Sequence, residues 1–241
     1  MHFFISPPFG NYINLPNTYK IRGSFTLEPR PGLLGQIFKT LRYSSIYGGW
    51  INKIGLRNIG IEMALKNIDN KKDITSIAIL DKEEIPKIVK IIPENLNIEI
   101  NVSCPNIDKN IDDNLDLTPF INKNRKWCII KLAPLEKRKT IDNYYKQGFR
   151  QFHVSNTLKT KTGGLSGPML RPYTNNLIDV LREKYGESVT IIAGGGVRSK
   201  KDAENYIKQG ADYVSVSTLL FNPFRFSLFY LNMCFSNDSY L

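Results

Sequence analysis

Short apolar runs rich in branched and aromatic side chains recur along the whole chain, at residues 3–6, 20–26, 74–80, 97–102, 127–132, 150–154, 189–193 and 212–216. Runs this short, bounded by Gly, Pro, Asn and Asp, predict strands. Between the later runs the apolar spacing changes to a helical period, over 83–91, 140–147, 175–185 and 200–209, and 223–234 supplies a closing helix. Gly148, Gly186 and Gly210 stand just past three of these helices, where a left-handed residue ends the last turn. Strands alternating with helices pair in parallel, and eight such units predict an α/β protein, a (β/α)8 TIM barrel.

One internal echo fits this register. Tyr144-Tyr-Lys-Gln-Gly148 precedes one strand as Tyr206-Ile-Lys-Gln-Gly210 precedes another. A single echo does not make a repeat, because unrelated helix-to-strand units converge on the same pattern. The early chain is the least regular: residues 11–18 make a poor helix, and residues 27–50 carry Pro29, Pro31, Gly32, Gly35, Gly48 and Gly49. Long irregular connections after barrel strands build the active-site face.

Size and composition agree with one domain spanning residues 1–241, since single α/β barrels commonly run to about 250 residues. The cysteines at 104, 128 and 234 form no CxxC, so neither a disulfide framework nor a zinc knuckle is expected, and a reducing, cytoplasmic setting fits best. The opening residues lack a basic leader with a long apolar stretch, and the apolar stretch 214–235 is broken by Asn222, Pro223 and Arg225. Neither a signal peptide nor a membrane span is expected. A net charge of +11 raises the possibility of nucleic acid. The basic clusters 123–126, 137–139 and 198–201 fall in separate connections without aromatic interleaving, which favours a solvated surface over RNA.

Candidate chemistry sits where strands end. Ile191-Ile-Ala193 runs into Gly194-Gly195-Gly196 and a helix, and Val214-Ser-Val216 runs into Ser217-Thr218. Glycines let a backbone approach an anion, and barrels often bind phosphate after strands seven and eight. A second glycine stretch, Thr162-Gly163-Gly164-Leu165-Ser166-Gly167-Pro168, either wraps a ligand edge or is a surface loop. Lys131, inside an apolar run, needs an anionic partner if it faces inward: a phosphate, a carboxylate or a reduced flavin. Asn101-Val-Ser-Cys104-Pro-Asn106 sets a thiol between two carboxamides at a strand end, arranged to meet a flat polar ring. A thiol acts as a base only through its thiolate; the plain alternative is a buried structural cysteine, and Cys128 and Cys234 take that reading. His153 lies within a strand with no carboxylate evident to orient it, so it reads as structural or substrate-lining. No spacing suggests a metal.

With these motifs in order, the chain resembles the dihydroorotate dehydrogenases, flavoproteins built on an FMN-binding (β/α)8 barrel. The resemblance covers nearly the whole chain, through Thr26-Leu-Glu-Pro-Arg-Pro-Gly32, Ile51-Asn52-Lys-Ile-Gly55-Leu56-Arg-Asn58, the Cys104 motif, Lys131-Leu-Ala-Pro134, Ser155-Asn156-Thr157, Gly163-Gly-Leu-Ser-Gly167 and the closing Gly-Gly-Gly and Ser-Thr pair. It implies that Cys104 removes a proton from C5 of dihydroorotate while hydride passes from C6 to flavin N5, yielding orotate in pyrimidine synthesis. It implies that Asn52, Gly55, Leu56, Asn101, Asn106, Asn156 and Thr157 bind substrate. FMN contacts fall to Ser6, Asn101, Lys131, Gly164, Gly167, Gly195, Gly196, Ser217 and Thr218, with Lys131 stabilising the reduced flavin.

A cysteine base is a mark of the family's soluble branch, as is the lack of an N-terminal extension, which implies no membrane partner. That branch carries a lysine in the second strand where this chain has Gly23, while Gly23-Ser-Phe-Thr26 is similar to the membrane-associated branch. Two other functions stay open: an FMN-dependent tRNA dihydrouridine synthase-like enzyme, and a non-catalytic barrel that keeps a phosphate pocket. Oligomeric state is not fixed, a homodimer being one expectation.

Overall fold

The computed structural model describes residues 2–69, 72–103 and 115–235. In chain order the strands are β1 (Phe3–Ile5), β2 (Thr18–Phe25), β3 (Arg42–Ser44), β4 (Gly49–Asn52), β5 (Asp73–Ala78), β6 (Ile98–Asn101), β7 (Cys128–Lys131), β8 (Gln151–Val154), β9 (Leu158–Thr160), β10 (Gly163–Ser166), β11 (Thr190–Gly194) and β12 (Tyr213–Val216). The helices are α1 (Leu33–Thr40), α2 (Ile61–Leu65), α3 (Ile85–Ile91), α4 (Arg138–Gln147), α5 (Arg171–Tyr185), α6 (Lys200–Lys208) and α7 (Pro223–Phe235). Strands β1, β2, β5, β6, β7, β8, β11 and β12 pair in parallel and close into a barrel. These are the eight runs read from the sequence. Helix α5 starts at Arg171, ahead of the expected 175, because Pro172 fits a first helical turn whose N–H groups have no intrahelical acceptor.

Alternation along each strand sorts side chains between two cores. Facing the helices are Ile77, Ile98, Ile100, Ile130, Phe152, Val154 and Ile191. Inside, Phe4, Ile21, Ile74, Trp127, Ile129 and Ile192 form an apolar plug, packed against Tyr19 and Tyr213. Each fully buried Ile or Phe contributes about 1.5–3 kcal/mol relative to an exposed one. Above the plug the interior becomes polar, and there the strands end.

The irregular early connection holds more structure than its sequence suggests. Helix α1 lies across it, and β3, β4, β10 and β9 form a separate antiparallel sheet. Residues 163–166, read as a glycine loop, are a strand. A Cβ on Gly163 would stand 2.4 Å from the Asn52 carbonyl oxygen, so glycine is what allows β10 to lie on β4.

Gly23 interrupts the register of β2 on β5 between Arg22 and Phe25, with a φ of 118°. A Cβ there would lie 2.5 Å from the Ser76 carbonyl oxygen. No lysine fits without displacing β5. Lys20 and Arg22 do not replace it, since both pair with Asp73 at the start of β5, at 2.8 and 3.1 Å. Gly23→Ala and Gly23→Lys are both expected to lose about 2–4 kcal/mol of stability in denaturant titration, through strain rather than lost contacts.

Candidate active site

The carboxyl ends of the strands surround one cavity of about 450 Å³, with Leu33, Ile37 and Leu41 of the α1 region along its edge. Its floor is a buried charged layer. Glu99 of β6, Lys131 of β7 and His153 of β8 point inward: Glu99 Oε1 lies 3.4 Å from Lys131 Nζ, and Glu99 Oε2 lies 2.5 Å from His153 Nδ1. Ser76 Oγ donates to Glu99 Oε1 at 2.8 Å. Lys131 thus faces inward, with a carboxylate as its anionic partner.

Burial alone would push the Glu99 carboxyl up. The Lys131 ammonium, His153 and the hydrogen bonds from His153 and Ser76 overcome this and hold its pKa at about 2. His153 moves the other way: burial and the Lys131 charge lower its pKa, and Glu99 only partly opposes them. The imidazole is therefore neutral near pH 7, donating from Nδ1–H to Glu99, and Lys131 balances the carboxylate.

From this floor a hydrogen-bonded chain climbs to the amides. Ser76 Oγ and Ser24 Oγ are 2.7 Å apart, Asn101 Nδ2 donates to Ser24 Oγ at 2.9 Å, and Asn156 Nδ2 donates to Asn101 Oδ1 at 3.0 Å. Asn156 Nδ2 also reaches Ser103 Oγ at 3.0 Å, and Ser103 Oγ donates to the Lys131 carbonyl at 2.8 Å. Thr157 N–H fixes the other end of the Asn156 amide at 2.8 Å. Two carboxamides thus meet over Lys131. Cys104 and Asn106 lie outside the described residues.

The wall opposite the amides is built by the two early motifs. Arg30 and Asn58 exchange backbone hydrogen bonds at 2.8 Å. Asn58 Nδ2 holds the Leu56 carbonyl at 2.7 Å and Thr26 Oγ1 at 2.9 Å. This anchors Gly55 and Leu56, both at positive φ and both lining the cavity. Asn52 lines the cavity beside them, its Oδ1 accepting from Ile54 N–H at 3.3 Å.

The far end suits a phosphate. Gly195, Gly196, Ser217 and Thr218 line it at the ends of β11 and β12. Gly195 and Gly196 have φ of 91° and 79°, and a Cβ on either would lie within 2.9 Å of Leu170 or Arg171 atoms. Arg171 Nε donates to the Gly196 carbonyl at 2.9 Å and Tyr206 OH to the Gly195 carbonyl at 2.6 Å, so the turn is held from behind while its inner side stays open. Ser217 Oγ donates to the Pro7 carbonyl at 2.8 Å, and Ser6 Oγ lies 2.6 Å from Ser215 Oγ. Gly167 and Ser6 also line the cavity. Gly164 does not: it is buried in the accessory sheet, paired with Asn52.

Sequence reasoning missed Glu99, Ser24, Ser76 and Ser103, and found no carboxylate for His153. The carboxylate is Glu99, 54 residues away in sequence, and only barrel closure brings it there. A usable signal existed in the period of two: Glu99 and Asn101 must share a face, and the resemblance puts Asn101 against substrate and FMN.

A closed parallel barrel whose strand ends surround one cavity, with a glycine turn at one end, a buried lysine at the floor and paired amides, has the architecture of a (β/α)8 enzyme. The family model for dihydroorotate dehydrogenase matches residues 10–227, and the chain belongs to that family, whose members bind FMN and are flavin oxidoreductases. Membership supports a general role in dihydroorotate oxidation within pyrimidine biosynthesis. The catalytic subunit of dihydroorotate dehydrogenase B (NAD(+)) from Thermotoga petrophila is 28% identical over 243 residues, covering 88% of this chain and 87% of that protein. An Aquifex aeolicus protein, provisionally named dihydroorotate dehydrogenase A (fumarate), is 31% identical over 206 residues, covering 72% of this chain and 67% of that one. The ligand-free DHODH structure from Eimeria tenella superimposes with a TM-score of 0.67 at 20% identity, covering 88% of this chain and 76% of that chain. Among the described residues no helix is long and apolar enough to cross a membrane, and no cluster suits a metal ion.

Proposed function

We propose that the chain oxidises dihydroorotate to orotate with FMN, Cys104 acting as the base at substrate C5. The observation that carries this reading is the Asn101–Asn156 amide pair over Lys131, in the same cavity as the Gly195–Gly196 turn. Bound FMN would supply the acceptor for the hydride of substrate C6, at its N5, and, once reduced, one more negative charge in the cavity. Gly195, Gly196, Ser217 and Thr218 would hold its phosphate, and Lys131 would supply a buried ammonium to it. Asn52, Asn101, Asn106, Asn156 and Thr157 orient the substrate ring, with the Gly55–Leu56 backbone closing one side.

The names of the two relatives differ in their oxidant, NAD(+) for one and fumarate for the other. The test is the absorption spectrum of the purified protein before and after anaerobic dihydroorotate. The expected result is a flavin spectrum that bleaches within the mixing time of a conventional experiment. A protein that stays colourless with added FMN would sink the reading, and one that binds FMN but never bleaches would favour a non-catalytic barrel.

A further inference from the structure

The charged floor contains one group that the proposed chemistry leaves unused. His153 is 2% exposed, yet it lines the cavity. Its Nδ1 is committed to Glu99, while Nε2 has no hydrogen-bond partner among the described residues. Nε2 points toward the end of β11, where a Cβ on Gly194 would stand 3.1 Å away. The glycine at that position leaves the ring nitrogen room.

Counting the charges at the floor shows what the nitrogen can do. Glu99 from β6 and Lys131 from β7 cancel, β5 contributes only Ser76, and β11 contributes only the Gly194 backbone. With a neutral His153 the floor sums to zero. A negative charge added to the cavity leaves the buried region at minus one, and an uncompensated charge away from water is costly. A protonated His153 brings the sum back to zero.

We propose that His153 takes up one proton from solvent when the bound flavin is reduced, and that Glu99 is the positioning residue that holds both His153 and Lys131 for this. The proposal rests on FMN occupying the cavity, but not on dihydroorotate being the reductant. The balance is two electrons and one proton to the flavin, and one further proton to His153 Nε2, giving an imidazolium hydrogen-bonded to the Glu99 carboxylate. The low resting pKa of His153 keeps Nε2 available as the acceptor near pH 7.

The test is the pH dependence of the midpoint potential of bound FMN, measured by titration with a chemical reductant. Uptake of two protons with two electrons makes the reduction equilibrium shift a hundredfold per pH unit, and loss of the histidine proton leaves tenfold, a difference of about 30 mV per pH unit. The steeper dependence is expected in the natural protein from about pH 6.5 to 7.5, and the shallower one in His153→Asn and in His153→Gln. Nitrogen NMR of His153 gives an independent reading, neutral in the oxidised protein and imidazolium in the reduced one. An identical slope in the natural protein and both variants, or a His153 that stays neutral on reduction, overturns the proposal. So does a protein that binds no flavin, which also overturns the proposed function. Failure to be reduced by dihydroorotate, with the two slopes intact, overturns only the substrate assignment.

Discussion

Cys104→Ala is expected to retain FMN and its response to chemical reductants while losing flavin reduction by dihydroorotate by a factor of about 10²–10⁴, the usual worth of a positioned general base. The flavin should survive because the residues proposed to hold it, Lys131, Gly195, Gly196, Ser217 and Thr218, lie on β7 or follow β11 and β12, none of them within the Cys104 motif. The base should matter because Asn101, Ser103 and Asn156 offer amide and hydroxyl groups that orient a ring but are not proton acceptors near neutral pH. A thiol must ionise first, so the natural protein's reduction rate should rise with pH as the thiolate forms. Stopped-flow reduction measured against pH checks both points. A Cys104→Ala rate within a few-fold of the natural protein's removes the cysteine from its role.

Local pattern reveals what local forces make. The eight barrel strands were legible because each is an apolar run that stays buried on both faces once helices cover the outside. The helix ends at Gly148 and Gly210 were legible because their left-handed backbone is a property of the residue itself. Strands β3, β4, β9 and β10 were not: they carry few apolar residues, and their sheet forms only when two hairpins far apart in sequence meet, Asn52 pairing with Gly164, 112 residues away. Helix α1 was hidden between Pro31–Gly32 and an internal Gly35, and none of its residues is buried. The site divided in the same way. Residues that stand at strand ends, such as Gly195, Gly196 and Asn101, could be placed from the sequence, and they line the cavity. Glu99 sits in an apolar strand and gains meaning only from Lys131 and His153, on the next two strands of the barrel.

That arrangement gives Lys131→Met the largest expected effect on stability. Methionine fills a similar volume, so the change removes a charge with little loss of packing. Glu99 is then left buried with the Ser76 hydroxyl and a His153 that must take up a proton to balance it, and removing one partner of a buried pair typically costs about 3–5 kcal/mol. The sign of the pH dependence should reverse as well. In the natural protein the Glu99 pKa is about 2 against an ordinary 4.5, so its stabilising contribution is complete above about 4.5 and is lost as pH falls toward 2. In Lys131→Met the Lys131 charge no longer holds His153 down, the buried Glu99–His153 pair takes up a proton on folding, and the penalty is present at neutral pH and relieved as pH falls. Lys131→Met with Glu99→Gln should recover much of the loss, since an amide can keep hydrogen bonds to Ser76 and His153 without a charge. Denaturant titrations of the two single variants and the double variant at pH 7 and pH 5 give the coupling directly. Additive losses in the double variant, with no change of slope against pH, would mean that Lys131 and Glu99 are neighbours without being partners.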